Sequence, residues 1–219
     1  MELGVSEDSI RRDLRELAAE GACVRVYGGA LPVPPADRPV TERRELATGS
    51  KQRVAREAVG RIRPSSTIVL DAGTTTLAMA TMLPPSLTVF TPSPEVAIAV
   101  AQHCDARILM IGGELTRHSM VAGGALALEA IAHVGADALF MGATGVHPEH
   151  GLTTGELDDA VTKRALAQRC TDTYVLASAE KIGAVSRFPI IGLDEVAEVI
   201  VDPEDRNPMI GDLRAMIGG

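Results

Sequence analysis

Apolar residues recur along this chain in short runs, separated by stretches in which they fall at helical intervals. The runs at 67–70, 87–91, 106–111, 137–142, 173–177 and 197–201 are β-branched and aliphatic and predict strands. The segments between them, near 75–83, 95–103, 124–134, 157–169 and 208–217, predict helices. Repeated strand–helix units of this length predict an α/β fold, a mostly parallel sheet flanked by helices. The start of the chain follows a different pattern. Ser6 reads as an N-cap with Glu7 and Asp8 in the first turn, and Ile10, Leu14 and Leu17 fall at i, i+4 and i+7. Arg11, Arg12 and Arg15 lie off that stripe, and Gly21 suits a C-cap. The run VRVYGGALPV then reads as a hairpin turning at Gly28-Gly29 and carrying Arg25 and Tyr27.

Three stretches follow: 1–30, a linker at 31–49 and a large domain at 50–219. The linker holds four prolines and no apolar periodicity, so it is expected to be partly extended. From Arg38 to Arg63, eight Lys/Arg against three Glu make the one basic region, net +5. A solvated hinge helix from Ser50 to Ile62 accounts for it, as does a contact to a phosphate backbone.

Composition narrows this picture. Aromatic residues are 2% of the chain and Trp is absent, so the core must be built from Val, Ile, Leu, Ala and Met. No apolar run approaches the roughly 18 residues of a membrane span, and MELGVSEDS lacks the basic and apolar regions of a signal peptide. Cys23, Cys104 and Cys170 are distant and odd in number, which fits a reducing cytoplasm rather than a disulfide framework. A net charge of −8 gives no global footprint for nucleic acid, so any DNA contact must be local. Neither GxGxxG nor GxxxxGK[ST] occurs, and no cofactor is expected.

In parallel sheets, ligands bind beyond the carboxyl ends of the strands. Five consecutive strand ends here carry small and hydroxyl residues. The first run leads into Asp71-Ala72-Gly73-Thr74-Thr75-Thr76, whose tight turn into a helix leaves backbone N–H groups unpaired beside three hydroxyls. The next ends are Thr91 and Ser93, then Gly112 and Gly113, then Gly142-Ala143-Thr144-Gly145, then Ser178 and Lys181. Lys181 supplies a cation, and Lys163 could supply a second. A small, anionic, hydroxyl-rich ligand suits this set.

The run VSEDSIRRDLRELAAEG followed by RVYGGA resembles the recognition helix and wing of the deoxyribose-operon-repressor (DeoR) family. DAGTTT, the later Gly-Gly pair, FMGATGV…GLT, DAVTKRAL and the Lys after the fifth strand are similar to that family's effector domain. The resemblance implies the fold shared with ribose-5-phosphate isomerase and glucosamine-6-phosphate deaminase, and a cytoplasmic, homo-oligomeric transcriptional regulator of sugar metabolism. It implies that a phosphorylated sugar or related metabolite sits on Gly73 to Thr76 with Lys181 and Lys163 near. Ser6, Ser9, Arg11 and Arg12 would face operator DNA, with Arg25 on the wing. An amphipathic helix with a solvated arginine face is the competing reading of RRDL. The family's module begins upstream with a first helix and most of a second, so residues 1–30 are expected to be a partial winged helix-turn-helix. Pro92 stands where the family commonly has Asn, and Ser178 where it commonly has Asp. Asp159 stands four positions before Lys163 and could equally form a helix-surface salt bridge.

Two other functions compete. A sugar-phosphate isomerase of this fold needs a carboxylate base; Asp71, Glu156, Asp158 and Asp159 are near, but the loop after 137–141 reads GATG and offers none. A sensor or oligomerisation protein without DNA binding is the other. His147 and His150 share a loop with Glu149, too few ligands to predict a metal.

Overall fold

The computed structural model describes residues 6–20, 23–26, 29–38 and 40–217. The chain begins with α1 (Glu7–Ala19) and an antiparallel hairpin, β1 (Cys23–Val26) with β2 (Gly29–Pro32), in which Arg25 lies opposite Ala30. Ser6 caps α1, its Oγ accepting from the Ser9 N–H at 3.2 Å. Ile10 and Leu14 are half-buried, but Leu17 is 43% exposed, so only part of the predicted stripe is covered. The predicted cap at Gly21 and the turn at Tyr27 and Gly28 lie outside the described residues.

The segment expected to be a partly extended linker is not free chain. Past the end of β2, it forms a 3-10 turn at Pro35–Asp37 and the short α2 (Val40–Arg43), with Pro34 and Val40 buried. The basic helix follows as α3 (Thr48–Val59), one face of which, Val54, Ala55 and Ala58, is fully buried.

All six predicted strands of the large domain are present: β3 (Thr67–Leu70), β4 (Thr88–Thr91), β5 (Arg107–Met110), β8 (Ala136–Gly142), β11 (Cys170–Ala177) and β13 (Glu198–Val201). They pair in parallel in the order β13-β11-β8-β3-β4-β5. The helices are α4 (Thr74–Ala80), α5 (Pro94–His103), α6 (Gly124–Ala132), α7 (Leu157–Ala167) and α8 (Met209–Met216). Strand residues alternate between two apolar layers, as the period of two requires. Ile68, Leu70 and Phe140 meet α3, α4 and α5 on one face; Val69, Leu139 and Met141 meet α6, α7 and α8 on the other. A strand covered on both faces reads as an apolar run, which is why the inner strands were visible in sequence, while the edge strand β5 is only half-buried.

Two small antiparallel units were not predicted. One is the hairpin of β6 (Glu114–Thr116) and β7 (Val121–Gly123); the other is a three-stranded sheet of β9 (Gly145–His147), β10 (Gly151–Thr154) and β12 (Phe188–Pro189). From β3 the chain steps outward through β4 to β5, then returns to place β8 on β3's other side. The topological switch point therefore lies between the C-terminal ends of β3 and β8, where a ligand crevice is expected.

Candidate functional site

At that switch point Asp71, fully buried, joins the two strands. Its N–H donates to the Phe140 carbonyl at 3.1 Å, and its Oδ2 accepts from the Gly142 N–H at 2.9 Å. The Lys163 ammonium donates to the same oxygen. Lys163 also pairs with Asp159 one helical turn earlier, at 3.3 Å, and Asp159 accepts from Thr154 Oγ1 at 2.6 Å. With Lys163 4% and Asp159 8% exposed, the i, i+4 pair is a buried element of the site and not a helix-surface bridge. Burial works against the Lys163 ammonium, but Asp159 and Asp71 outweigh it and hold its pKa above the ordinary value. Burial pushes the Asp71 carboxyl up, against the pull of Lys163. Lys163 is thus committed to two carboxylates.

Lys181 has a different environment. Its ammonium lies 3.2 Å from the Leu176 carbonyl oxygen and 3.5 Å from Thr75 Oγ1, and no described carboxylate forms an ion pair with it. Ser178, standing where a carboxylate would have helped, instead donates its hydroxyl to Glu180 at 2.8 Å. Burial lowers the Lys181 pKa from 10.5 to about 8. An uncompensated buried cation is costly unless something anionic joins it.

The cavity beside these groups is lined by Gly73, Gly142, Lys163 and Lys181 from the predicted set, and by Ala143, Thr144, Thr154, Gly155, Glu156 and Asp159. Gly73 has a φ of +127°, a conformation that favours glycine and turns the chain from β3 into α4. Thr75 and Thr76 are buried at the start of α4, and Thr74 is half-buried. Among the residues lining the cavity, Arg43 Nε, Ser119 Oγ and Glu156 Oε2 are buried without a hydrogen-bond partner among the described residues, as are Asp71 Oδ1, Thr76 Oγ1 and Thr162 Oγ1 outside the lining. Buried polar atoms are nearly always satisfied, so this concentration around one cavity marks a place for a polar guest.

Eight predicted residues are not part of the cavity lining: Asp71, Thr74, Thr75 and Thr76 at the β3–α4 turn, and Thr91, Ser93, Gly112 and Gly113. Thr91 Oγ1 accepts from the Ser93 N–H at 3.1 Å, and Ser93 Oγ caps α5 by accepting from the Val96 N–H at 3.4 Å. Gly112 and Gly113 are exposed and lead into the β6–β7 hairpin. Sequence reasoning also missed contributors. Asp37 and Arg43 come from the proline-rich segment, and His118 and Ser119 from the turn between β6 and β7. Burial draws the Arg43 guanidinium down from its ordinary value, although Asp159, Asp37, Glu156 and Asp71 all act to raise it. No sequence signal points to these four, because contacts between remote segments leave no local period.

At the amino terminus, Ser9 is half-buried, while Arg11, Arg12 and Arg25 are exposed. Arg11 approaches Asp8 at 3.8 Å and Arg12 approaches Asp13 at 3.7 Å, solvent-exposed pairs that contribute little to stability. Among the described residues no helix is long and apolar enough to cross a membrane.

Comparison with known proteins places both parts of the chain. Residues 47–203 match the DeoR C-terminal sensor domain, and residues 1–33 match the DeoR-like helix-turn-helix domain. The chain is 32% identical over 204 residues to the HTH-type transcriptional regulator GlpR of Haloferax volcanii, covering 91% of this chain and 80% of that protein. It is 32% identical over 205 residues to a putative aga operon transcriptional repressor of Escherichia coli O157:H7, covering 91% and 76%. With the HTH-type transcriptional repressor GlcR of Bacillus subtilis it shares 29% over 204 residues, covering 91% and 78%. Among solved structures, eIF2B delta from Chaetomium thermophilum is similar in fold, with a TM-score of 0.51 at 14% identity, covering 94% of this chain and 67% of that one. Ribose 5-phosphate isomerase A from Methanocaldococcus jannaschii gives a TM-score of 0.44 at 17% identity, covering 60% and 53%.

Proposed function

The chain belongs to the DeoR family of transcriptional regulators, and from that premise we propose that it represses an operon of sugar metabolism and senses a phosphorylated sugar at the β3–β8 switch point. The observation that carries the reading is Lys181, a buried cation without a carboxylate partner at the wall of a cavity ringed by unsatisfied polar atoms. A phosphate there would gain a charge-assisted hydrogen bond from Lys181, with the Thr75 hydroxyl and the first-turn N–H groups after Gly73 adding neutral donors. Asp71 and Lys163 serve mainly to fix the floor of the site, since each is already engaged by the other. The sugar hydroxyls would then meet Thr154, Glu156 and the backbone at Gly142 to Thr144.

On the operator side, the capped α1 and its hairpin would bring Ser6, Ser9, Arg11, Arg12 and Arg25 to the DNA, within the cytoplasm and in a homo-oligomer whose paired modules read two half-sites. Effector binding would favour one arrangement of the oligomer and lower operator affinity, which requires unequal affinity of the effector for two states.

An isomerase-like catalyst is the competing reading, and one observation favours it: Glu156 lines the cavity with an unpartnered buried oxygen and is the carboxylate that could act as base. Turnover of a sugar phosphate by the purified chain would select that reading. For the regulator, the test is titration of the full chain with DNA from its own operon's promoter, with and without a saturating sugar phosphate. A fall in operator affinity of at least tenfold is expected, and unchanged affinity would contradict the proposal. Operator affinity that does not fall with rising salt would instead favour an oligomerisation role without specific DNA binding.

A further inference from the structure

The cavity is covered by the chain that leads out of the amino-terminal hairpin. Residues 34–38 and 40–46 run past it and are held on either side. The Val40 N–H donates to the His118 carbonyl at 3.0 Å, Pro34 is buried, and the 3-10 turn Pro35–Asp37 packs against the turn that holds Lys181. Farther along, Lys51 donates to the Arg43 carbonyl and Arg44 pairs with Glu95. Between these anchors, Asp37 and Arg43 form part of the cavity wall.

The free space they leave is about 30 Å³, room for one or two waters and too small for a sugar phosphate. Asp37 sits directly on the backbone of Gly155. A Cβ at position 155 would lie 1.9 Å from Asp37 Oδ1, so only glycine accepts the carboxylate there. Arg43 is placed among Asp159, Asp37 and Glu156, and its Nε has no hydrogen-bond partner among the described residues. A carboxylate and a guanidinium from the chain itself therefore stand in the polar cavity.

We propose that residues 34–38 and 40–46 act as an internal competitor for the effector site, with Asp37 seated on Gly155 in the empty protein and displaced when a phosphorylated sugar binds. This rests on the sensing reading given above. It supplies the two states that reading requires, seated and displaced, with the effector bound only by the second. It also supplies a connection to the operator side, since the same segment begins just past β2, the second strand of the hairpin carrying Arg25. Self-occupancy lowers apparent affinity by the fraction of molecules with the segment displaced, so unseating it should tighten effector binding.

The test compares the full-length wild type with Gly155→Ala, which evicts the carboxylate, and Asp37→Ala, which removes it. Hydrogen exchange without ligand is read first. Amides of residues 40–46 are expected to exchange at least tenfold faster in both variants, while those of β3 stay protected as a control for folding. Unchanged exchange at 40–46 in both would overturn the seat. Affinity is then measured with glycerol 3-phosphate, ribose 5-phosphate, fructose 6-phosphate and glucose 6-phosphate. For whichever binds, Asp37→Ala should bind at least threefold more tightly. Equal or weaker binding would make Asp37 a bystander or an effector contact and overturn the competition. A panel in which none binds either protein would overturn the phosphorylated-sugar reading, and the seating then stands or falls on the exchange result.

Discussion

The Lys181 ammonium lies 3.5 Å from Thr75 Oγ1, joining the turn after β11 to the first turn of α4 without a carboxylate between them. Two segments separated by 106 positions thereby present to the cavity one ammonium without a direct ion pair, Glu180 acting on it only through space. In Lys181→Met the buried charge is gone and a side chain of similar length remains. The variant is expected to be more stable by about 1–3 kcal/mol, raising the melting temperature by roughly 2–10 °C, and to lose its thermal response to sugar phosphates. Thermal unfolding with and without the sugar phosphate reads both. A variant that is less stable yet still responds would place the anion elsewhere.

Effector affinity should depend on pH through the same group. In the empty protein Lys181 titrates at about 8, and a bound phosphate would raise that value. Binding then takes up a proton above pH 8, and affinity falls by up to about tenfold per pH unit from there until the bound-state pKa is passed. Stability runs the other way. The native pKa is below the unfolded 10.5, so burial of the ammonium costs most below pH 8, and the cost is relieved as pH rises from 8 to 10.5. Calorimetric titration at pH 7, 8 and 9 checks the first, and an affinity flat across that range would count against Lys181 as the phosphate partner.

Removing Lys163 leaves Asp71 buried without its cation, whereas removing Asp71 leaves Lys163 with Asp159 as its remaining carboxylate. Lys163→Met is expected to cost about 3–5 kcal/mol in urea unfolding, Asp71→Ala less, and the double variant less than their sum. Additive losses would show that the two groups do not act as a unit.

Arg53 on α3 grips Asp202, just beyond β13, through two hydrogen bonds of 2.7 and 2.8 Å. The Arg53 hydrogen bonds hold the Asp202 carboxyl well below its ordinary 3.8. A depressed carboxylate pKa stabilises the fold above the unfolded value, and that contribution is lost as pH falls from about 4 toward the native value. Melting temperatures between pH 5 and 2 should therefore fall less steeply in Asp202→Asn than in the wild type. Equal slopes would remove this pair from the acid response.

The inner parallel strands were legible because burial on both faces leaves an apolar run, and Thr67–Leu70 is the plainest case; the half-buried edge strand β5 was legible from its aliphatic Ile108-Leu109-Met110. The hairpin of β6 and β7 was not, since three-residue strands carry too few positions for a period to show. Within the site, Gly73 and Lys181 were legible from their places at strand ends. Thr91 and Ser93 have the same local composition, but their hydroxyls close a loop and cap a helix, and nothing in the sequence separates those uses. Asp37 and Arg43 were hidden for a different reason. They lie in a stretch with four prolines whose conformation is set by what it packs against, including a glycine more than 100 positions away.

The measurement that bears most directly on sensing is thermal unfolding of the full chain against sugar phosphates, each paired with its unphosphorylated sugar. A ligand at about 100 times its Kd adds roughly 2.7 kcal/mol, which for a chain of this size is about 5–11 °C. A shift of that size with a phosphorylated sugar and none with its unphosphorylated partner is the predicted result. Equal shifts from both members of every pair, or no shift from any, would contradict a phosphate-reading site at Lys181.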